Sequence, residues 1–225
     1  MRAILFDFDY TLADSSEGVF QCINYALTRM GEPPRGWKEC CDTIGLTLPQ
    51  TYNRLTGDLN PEKERKFYRL FLERADDVMV AKTNIYPTVP EMLRTLKKRG
   101  FRLGIVSTKF RFRIIKILQR RDLAESFDGI IGGEDVKAHK PNPEGLNRML
   151  TRLKVDKQDA VFVGDSVIDA ETAGKGEVSF IAVLSGQTAA SAFHPFDPMA
   201  IIDNVGQLPR SLAAIDVTGT AWPKN

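Results

Sequence analysis

The sequence is short of the residues that most often build thiolate, disulfide and histidine-based sites. It holds three cysteines, Cys22, Cys40 and Cys41, and two histidines, His139 and His194. An odd cysteine count with no CxxC spacing argues against a disulfide framework or a zinc site and suits a reducing compartment. Neither histidine lies in a Cys/His signature, so the cysteines are expected to be packing residues. Long apolar runs are also missing. Nothing approaches the ~20 residues needed to cross a bilayer, and no secretory signal is evident. A soluble, cytoplasmic protein with no membrane partner is therefore expected. Charge of one sign is scarce as well: 31 Lys and Arg stand against 29 Asp and Glu, a formal balance of +2. With no basic block, nucleic acid is not expected as a partner. The short run Lys97-Lys98-Arg99 ends a predicted helix, where cations suit the dipole. Internal repeats and low-complexity stretches are absent.

What is present is ordinary core material, 43% hydrophobic and 27% charged in 225 residues. That is enough for one large domain or two modest ones. Ala3 to Phe8 reads as a buried strand. From about Ser15 to Lys82 the pattern is helical instead: Gly18 to Met30, then shorter helices near Trp37 to Ile44 and Leu48 to Thr56. A longer helix follows, with Asn60 as cap, Pro61 in its first turn and Glu62 beside the dipole. Thereafter strands alternate with helices. Strands are expected at Phe101 to Val106, Phe127 to Ile131, Ala160 to Val163, Val178 to Leu184 and Ala200 to Ile202. A Thr88/Glu91 capping box is expected to open the helix before Gly100. Alternation of this kind implies parallel crossovers, hence an α/β fold with a doubly wound parallel sheet, a Rossmann-like core. The expected core is 1–14 plus 83–210, with an all-helical insertion over 15–82 and a loose tail over 211–225.

Four polar features fall at or beyond the ends of these strands, the edge where open parallel sheets bind ligands. Asp7 and Asp9 end the first strand. Two carboxylates there are costly to bury without a cation or a task. One can attack phosphorus while the other passes a proton, although either could also cap loop amides. Ser107-Thr108 can hold phosphate oxygens or simply cap the next helix. Lys140 lies beside Pro141 and close to Pro143, and can neutralise developing charge or be a solvated loop lysine. His139 beside it is read as incidental. Asp165 and Asp169, four apart at a helix start, can present two oxygens to magnesium or serve only as cap and dipole partner. Each feature alone leaves both readings open; all four in order at one sheet edge favour the chemical one.

The runs DFDYTLADS from Asp7, IVSTK ending at Lys109, IIGGEDVKAHKPNP ending at Pro143 and VFVGDSVIDAETA from Val161 resemble the haloacid dehalogenase superfamily. The resemblance is to its phosphoglycolate phosphatase-like branch with a helical cap, and covers Ile4 to about Ile202. It implies Mg2+-dependent phosphate monoester hydrolysis, with Asp7 as nucleophile and Asp9 as general acid/base. Ser107 and the Thr108 amide would hold the phosphoryl group, and Lys140 would neutralise charge. Asp7, the Asp9 backbone carbonyl, Asp165 and Asp169 would serve the metal. The implied partner is a small phosphorylated metabolite, and the chain a monomer or homodimer. Tyr10 stands where the family most often has glycine, and Gly174-Lys175-Gly176 departs slightly from its small-residue run. Specificity candidates are Tyr10, Arg54, Asn53 and the loop Gly45-Leu46-Thr47. Sugar phosphomutase and pyrophosphatase activities share these motifs, and a catalytically silent binding module shares the fold. Dehalogenation needs neither metal nor a second aspartate, and phosphonate cleavage relies on a cap lysine, so both are disfavoured.

Overall fold

The computed structural model describes residues 2–218. The chain separates into two units: one comprises the chain up to Leu12 and from Ile85 onward, the other Ala13–Asn84. It begins with β1 (Ala3–Phe6), four apolar residues, all fully buried. A strand covered on both faces has no polar positions to alternate with.

The second unit contains β2 (Ala13–Asp14), α1 (Ser16–Met30), α2 (Trp37–Cys41), α3 (Leu48–Thr56) and α4 (Pro61–Val78). The chain leaves it through β3 (Asn84–Ile85), which pairs with β2 in a two-stranded ribbon. Helix α1 stops at Gly31, whose φ of 80° is left-handed and whose N–H returns to the last-turn carbonyls. At α4 the Asn60 side chain accepts from the Glu62 and Lys63 amides, and Pro61 fills the first turn. The core of this unit includes Ile23, Leu27, Tyr52, Phe67 and Phe71 together with Cys22 and Cys40. All three cysteines are buried thiols. Burial pushes the Cys40 thiol up to about 11, which fits a packing role and not a nucleophile's.

The sheet unit continues with α5 (Val89–Lys98), β4 (Arg102–Val106), α6 (Arg111–Gln119), β5 (Gly129–Ile131), α7 (Glu144–Leu153), β6 (Ala160–Gly164), α8 (Val167–Gly176), β7 (Ser179–Val183), β8 (Ala200–Ile202) and α9 (Leu208–Thr218). The six-stranded sheet has the order β5-β4-β1-β6-β7-β8. Every ladder in it is parallel. The order reverses at β1, which lies between β4 and β6, so loops leaving these strands diverge and open a crevice at their C-terminal ends. One face of the sheet packs Leu5, Val106, Phe162 and Phe180 against Leu146, Met149 and Leu150 of α7 and Ala170 and Ala173 of α8.

Three expectations are corrected. The first strand ends at Phe6, not Phe8, although the Asp7 amide still bonds the Val163 carbonyl at 2.9 Å. The Thr88 side chain makes no cap hydrogen bond, because Thr88 itself has helical dihedrals and cannot turn its hydroxyl back on the first turn. Ser211–Thr218, expected to be loose, is helical within α9, and Leu212 in it is buried. Residues 219–225 of that expected tail lie outside the described residues.

Candidate active site

The parallel register builds the site. Phe6 is level with Ile105 on one side and Val163 on the other. Asp7 therefore leaves β1 where Ser107 leaves β4 and Asp165 leaves β6. Asp7, Asp9, Ser107, Lys140, Asp165 and Asp169 are all buried. Every one belongs to the sheet unit.

Carboxylate oxygens of Asp7, Asp165 and Asp169 lie within 4.8 Å of one another. Lys140 Nζ donates to Asp7 Oδ1 at 2.8 Å and to Asp169 Oδ1 at 2.6 Å. Asp169 does two jobs. Its Oδ2 accepts from the Ser166 hydroxyl at 2.6 Å and the Ser166 amide at 3.2 Å, while Ser166 Oγ accepts from the Asp169 amide, closing a capping box on α8. The other oxygen is left for Lys140. The capping reading of this residue holds, and its second oxygen stays with the acid cluster through Lys140. Thr11 donates to Asp165 Oδ1 at 3.2 Å.

Crowding of acids sets the electrostatics. Burial, opposed by Lys140 and reinforced by Asp169, raises Asp7 from 3.8 to about 6. Burial and then the Asp169 and Asp7 charges raise Asp165 well above the ordinary carboxylate range. Burial pulls Lys140 down, but Asp169 and Asp7 more than reverse it and leave the ammonium firmly protonated. A divalent cation fits this donor set: three buried, mutually repelling carboxylates with one shared lysine are stabilised by added positive charge, and oxygen donors suit magnesium.

Asp9 does not join that triad. Its Oδ1 lies 3.1 Å from Nζ of Lys109, an ion pair in which both side chains are at least nine-tenths buried. The Lys109 amide in turn donates to Ser107 Oγ at 3.3 Å, and the Lys109 carbonyl accepts from Gly133. Sequence reading passed over Lys109, although it ends the IVSTK run at the same sheet edge. It also passed over Glu144. That carboxylate accepts from the amides of Lys137 and Ala138 and fastens the loop that presents Lys140.

Thr108 is half-buried beside Ser107, and His139 is exposed. Tyr10 is buried with a φ of 59°, a left-handed conformation unusual for a bulky residue. The usual glycine at this place in the family has a backbone reason, and Tyr10 keeps the conformation without it. Asn53 and Arg54 lie on α3 of the helical unit, Asn53 half-buried and Arg54 exposed. Among the described residues no helix is long and apolar enough to cross a membrane.

Known proteins are similar to this chain in fold and in sequence. A Bacteroides fragilis protein of solved structure, assigned to the haloacid dehalogenase-like hydrolases, superposes with a TM-score of 0.89 at 43% identity, covering 92% of this chain and 98% of its own. Pyrophosphatase PpaX of Bacillus velezensis is 32% identical over 198 residues, 87% of this chain and 90% of the relative. Phosphoglycolate phosphatase 1 of Pseudomonas aeruginosa is 29% identical over 213 residues, 92% of this chain and 78% of the relative. The family model for haloacid dehalogenase-like hydrolases matches residues 4–183, and the chain belongs to that family.

Proposed function

We propose that this enzyme hydrolyses a small phosphate monoester, with magnesium, through an aspartyl phosphate on Asp7. The observation that carries the reading is the Asp7 carboxylate itself. It is buried at the end of the central strand, has one oxygen on Lys140, and stands within 4.8 Å of two further carboxylates. An Asp7 oxygen attacks phosphorus, the bond from phosphorus to the leaving oxygen breaks, and Asp9 supplies that oxygen with a proton. Water, deprotonated by Asp9, then attacks the same phosphorus, releasing inorganic phosphate and the Asp7 carboxylate. Ser107 and the Thr108 amide hold the phosphoryl oxygens, and Lys140 offsets their charge as it develops.

Asp7, the Asp9 backbone carbonyl, Asp165 and Asp169 would hold magnesium, which when bound adds positive charge beside the transferring phosphoryl group. The charge balance supports this: the cluster of Asp7, Asp165 and Asp169 is opposed by Lys140, and a dication would offset the remaining negative charge.

In this reading Ala13–Asn84 is the cap. Arg54, Asn53 and Gly45-Leu46-Thr47 are the specificity candidates of that unit, and Tyr10 is the candidate of the core. The named relatives favour phosphoglycolate and pyrophosphate as first candidates. A cytoplasmic setting accords with three buried thiols. The test is phosphate release from a panel of phosphoglycolate, sugar phosphates, nucleotides and pyrophosphate, each with magnesium, with chelator and with Asp7→Asn. Metal-dependent release that disappears in Asp7→Asn is expected. Release that survives Asp7→Asn would sink the mechanism, and turnover of a sugar phosphate without net phosphate would identify a mutase.

A further inference from the structure

The proposed chemistry makes no use of the loop after β7, yet that loop reaches the centre of the site. Ser185 Oγ donates to the Tyr10 carbonyl at 2.5 Å, and the Ser185 carbonyl accepts from Tyr86 Oη at 3.4 Å. Gly186 follows. A Cβ placed on Gly186 would sit 1.9 Å from Asp165 Oδ2, 2.7 Å from its Cγ and 3.0 Å from its Cβ. The other oxygen of that carboxylate accepts from Thr11. Asp165 is thus held between a hydroxyl on one side and bare backbone on the other.

Backbone conformation does not explain this glycine, because Gly186 is not among the residues with positive φ. Alanine could adopt the same dihedrals, and what it could not do is leave Asp165 where it is. The atoms in the way belong to the Asp165 side chain and not to backbone, so the part that yields is the carboxylate.

We propose that Gly186, anchored through Ser185, is a positioning residue that fixes the Asp165 carboxylate for the divalent cation. This rests on the magnesium reading of the site. Outer-shell groups that orient a ligand typically govern about 10–100-fold in metal affinity. The signature is an affinity loss without a matching stability loss, which a merely structural glycine would not give.

The experiment is calorimetric titration of Mg2+ into wild type, Gly186→Ala, Ser185→Ala and Asp165→Asn, checked by displacement of Mn2+ followed by electron paramagnetic resonance. Melting temperatures are recorded in chelator. Gly186→Ala is expected to weaken Mg2+ binding at least tenfold while melting within about 2 °C of wild type. Ser185→Ala, which loosens the anchor without crowding Asp165, is expected to weaken it severalfold, and decides the matter if Gly186→Ala does not fold. Wild-type affinity in folded Gly186→Ala, or in Ser185→Ala where that variant decides, overturns the proposal. An affinity loss matched by a large fall in melting temperature does the same. Binding that is lost in Asp165→Asn but kept in both loop variants overturns this proposal and leaves the metal reading standing. No binding by wild type overturns both.

Discussion

At the scale of single residues, the site is governed by charges that cost stability and are kept for use. Asp7 binds its proton more tightly when folded, at about 6 against an ordinary 3.8. As pH rises through that interval the folded state loses stability that the unfolded state does not, and above about pH 6 the whole penalty is present. Asp7→Asn removes the penalty. In chelator at pH 7.5 it should melt higher than wild type, by at least about 2 °C, and the advantage should vanish as pH falls below 4. A variant that melts lower at pH 7.5 would show that Lys140 outweighs the repulsion. Lys109 and Asp9 are the opposite case, a buried pair of unlike charges. Lys109→Met strands a carboxylate and should cost on the order of 3 kcal/mol, while Lys109→Met with Asp9→Asn should recover part of it. Urea denaturation of Lys109→Met, Asp9→Asn and the double variant gives the coupling directly. Tyr10 supplies a reversal of a familiar order. At most positions alanine is better tolerated than glycine, but at a φ of 59° Tyr10→Gly should be more stable than Tyr10→Ala by about 1 kcal/mol. Equal stabilities would mean that the turn relaxes.

At the scale of elements, the caps tie local structure to chemistry. Ser166 caps α8 and orients Asp169 with the same hydroxyl. Ser166→Ala should cost about 1 kcal/mol of stability and also weaken Mg2+ binding, because a freed Asp169 points less well. Loss of stability alone would separate the two roles. The order of strands and helices was legible in the sequence because short continuous apolar runs such as AILF and AVFVG alternate with stretches of helical spacing, and Asn60-Pro61-Glu62 carries its helix start in three side chains. Asp7 and Asp165 stood out as charges that follow apolar strands, Asp169 as a second acid four residues on, and Lys140 as a lysine beside proline; the geometry gathers them. Thr88 misled, since a capping residue works only if its backbone is extended, and that depends on the preceding turn. Lys109, Ser185 and Gly186 were missed for another reason. Their importance lies in what they touch across the sheet: Lys109 against Asp9, Ser185 against Tyr10, Gly186 against Asp165. Such pairings depend on register, and no local pattern encodes them.

At the scale of the whole molecule, the acid cluster makes stability depend on ligand. A cation that binds only the folded chain should add about 2.7 kcal/mol at a hundredfold excess over its dissociation constant. For a chain of this size that is roughly 5–10 °C in melting temperature. Asp165→Asn should lose most of that response, and an equal response in the variant would place the ion elsewhere. Synthesis order adds a consequence of the sheet topology. β1 is made first, but its partners lie at Arg102 and Ala160 and onward. At ~5–20 residues per second, the central strand waits on the order of ten seconds for a neighbour, bare and wholly apolar. Ala13–Asn84, by contrast, has all of its own core residues soon after it leaves the ribosome. The nascent chain thus leaves β1 unpaired for longer than any other strand of the six-stranded sheet, which makes that segment the one most open to wrong contacts during synthesis.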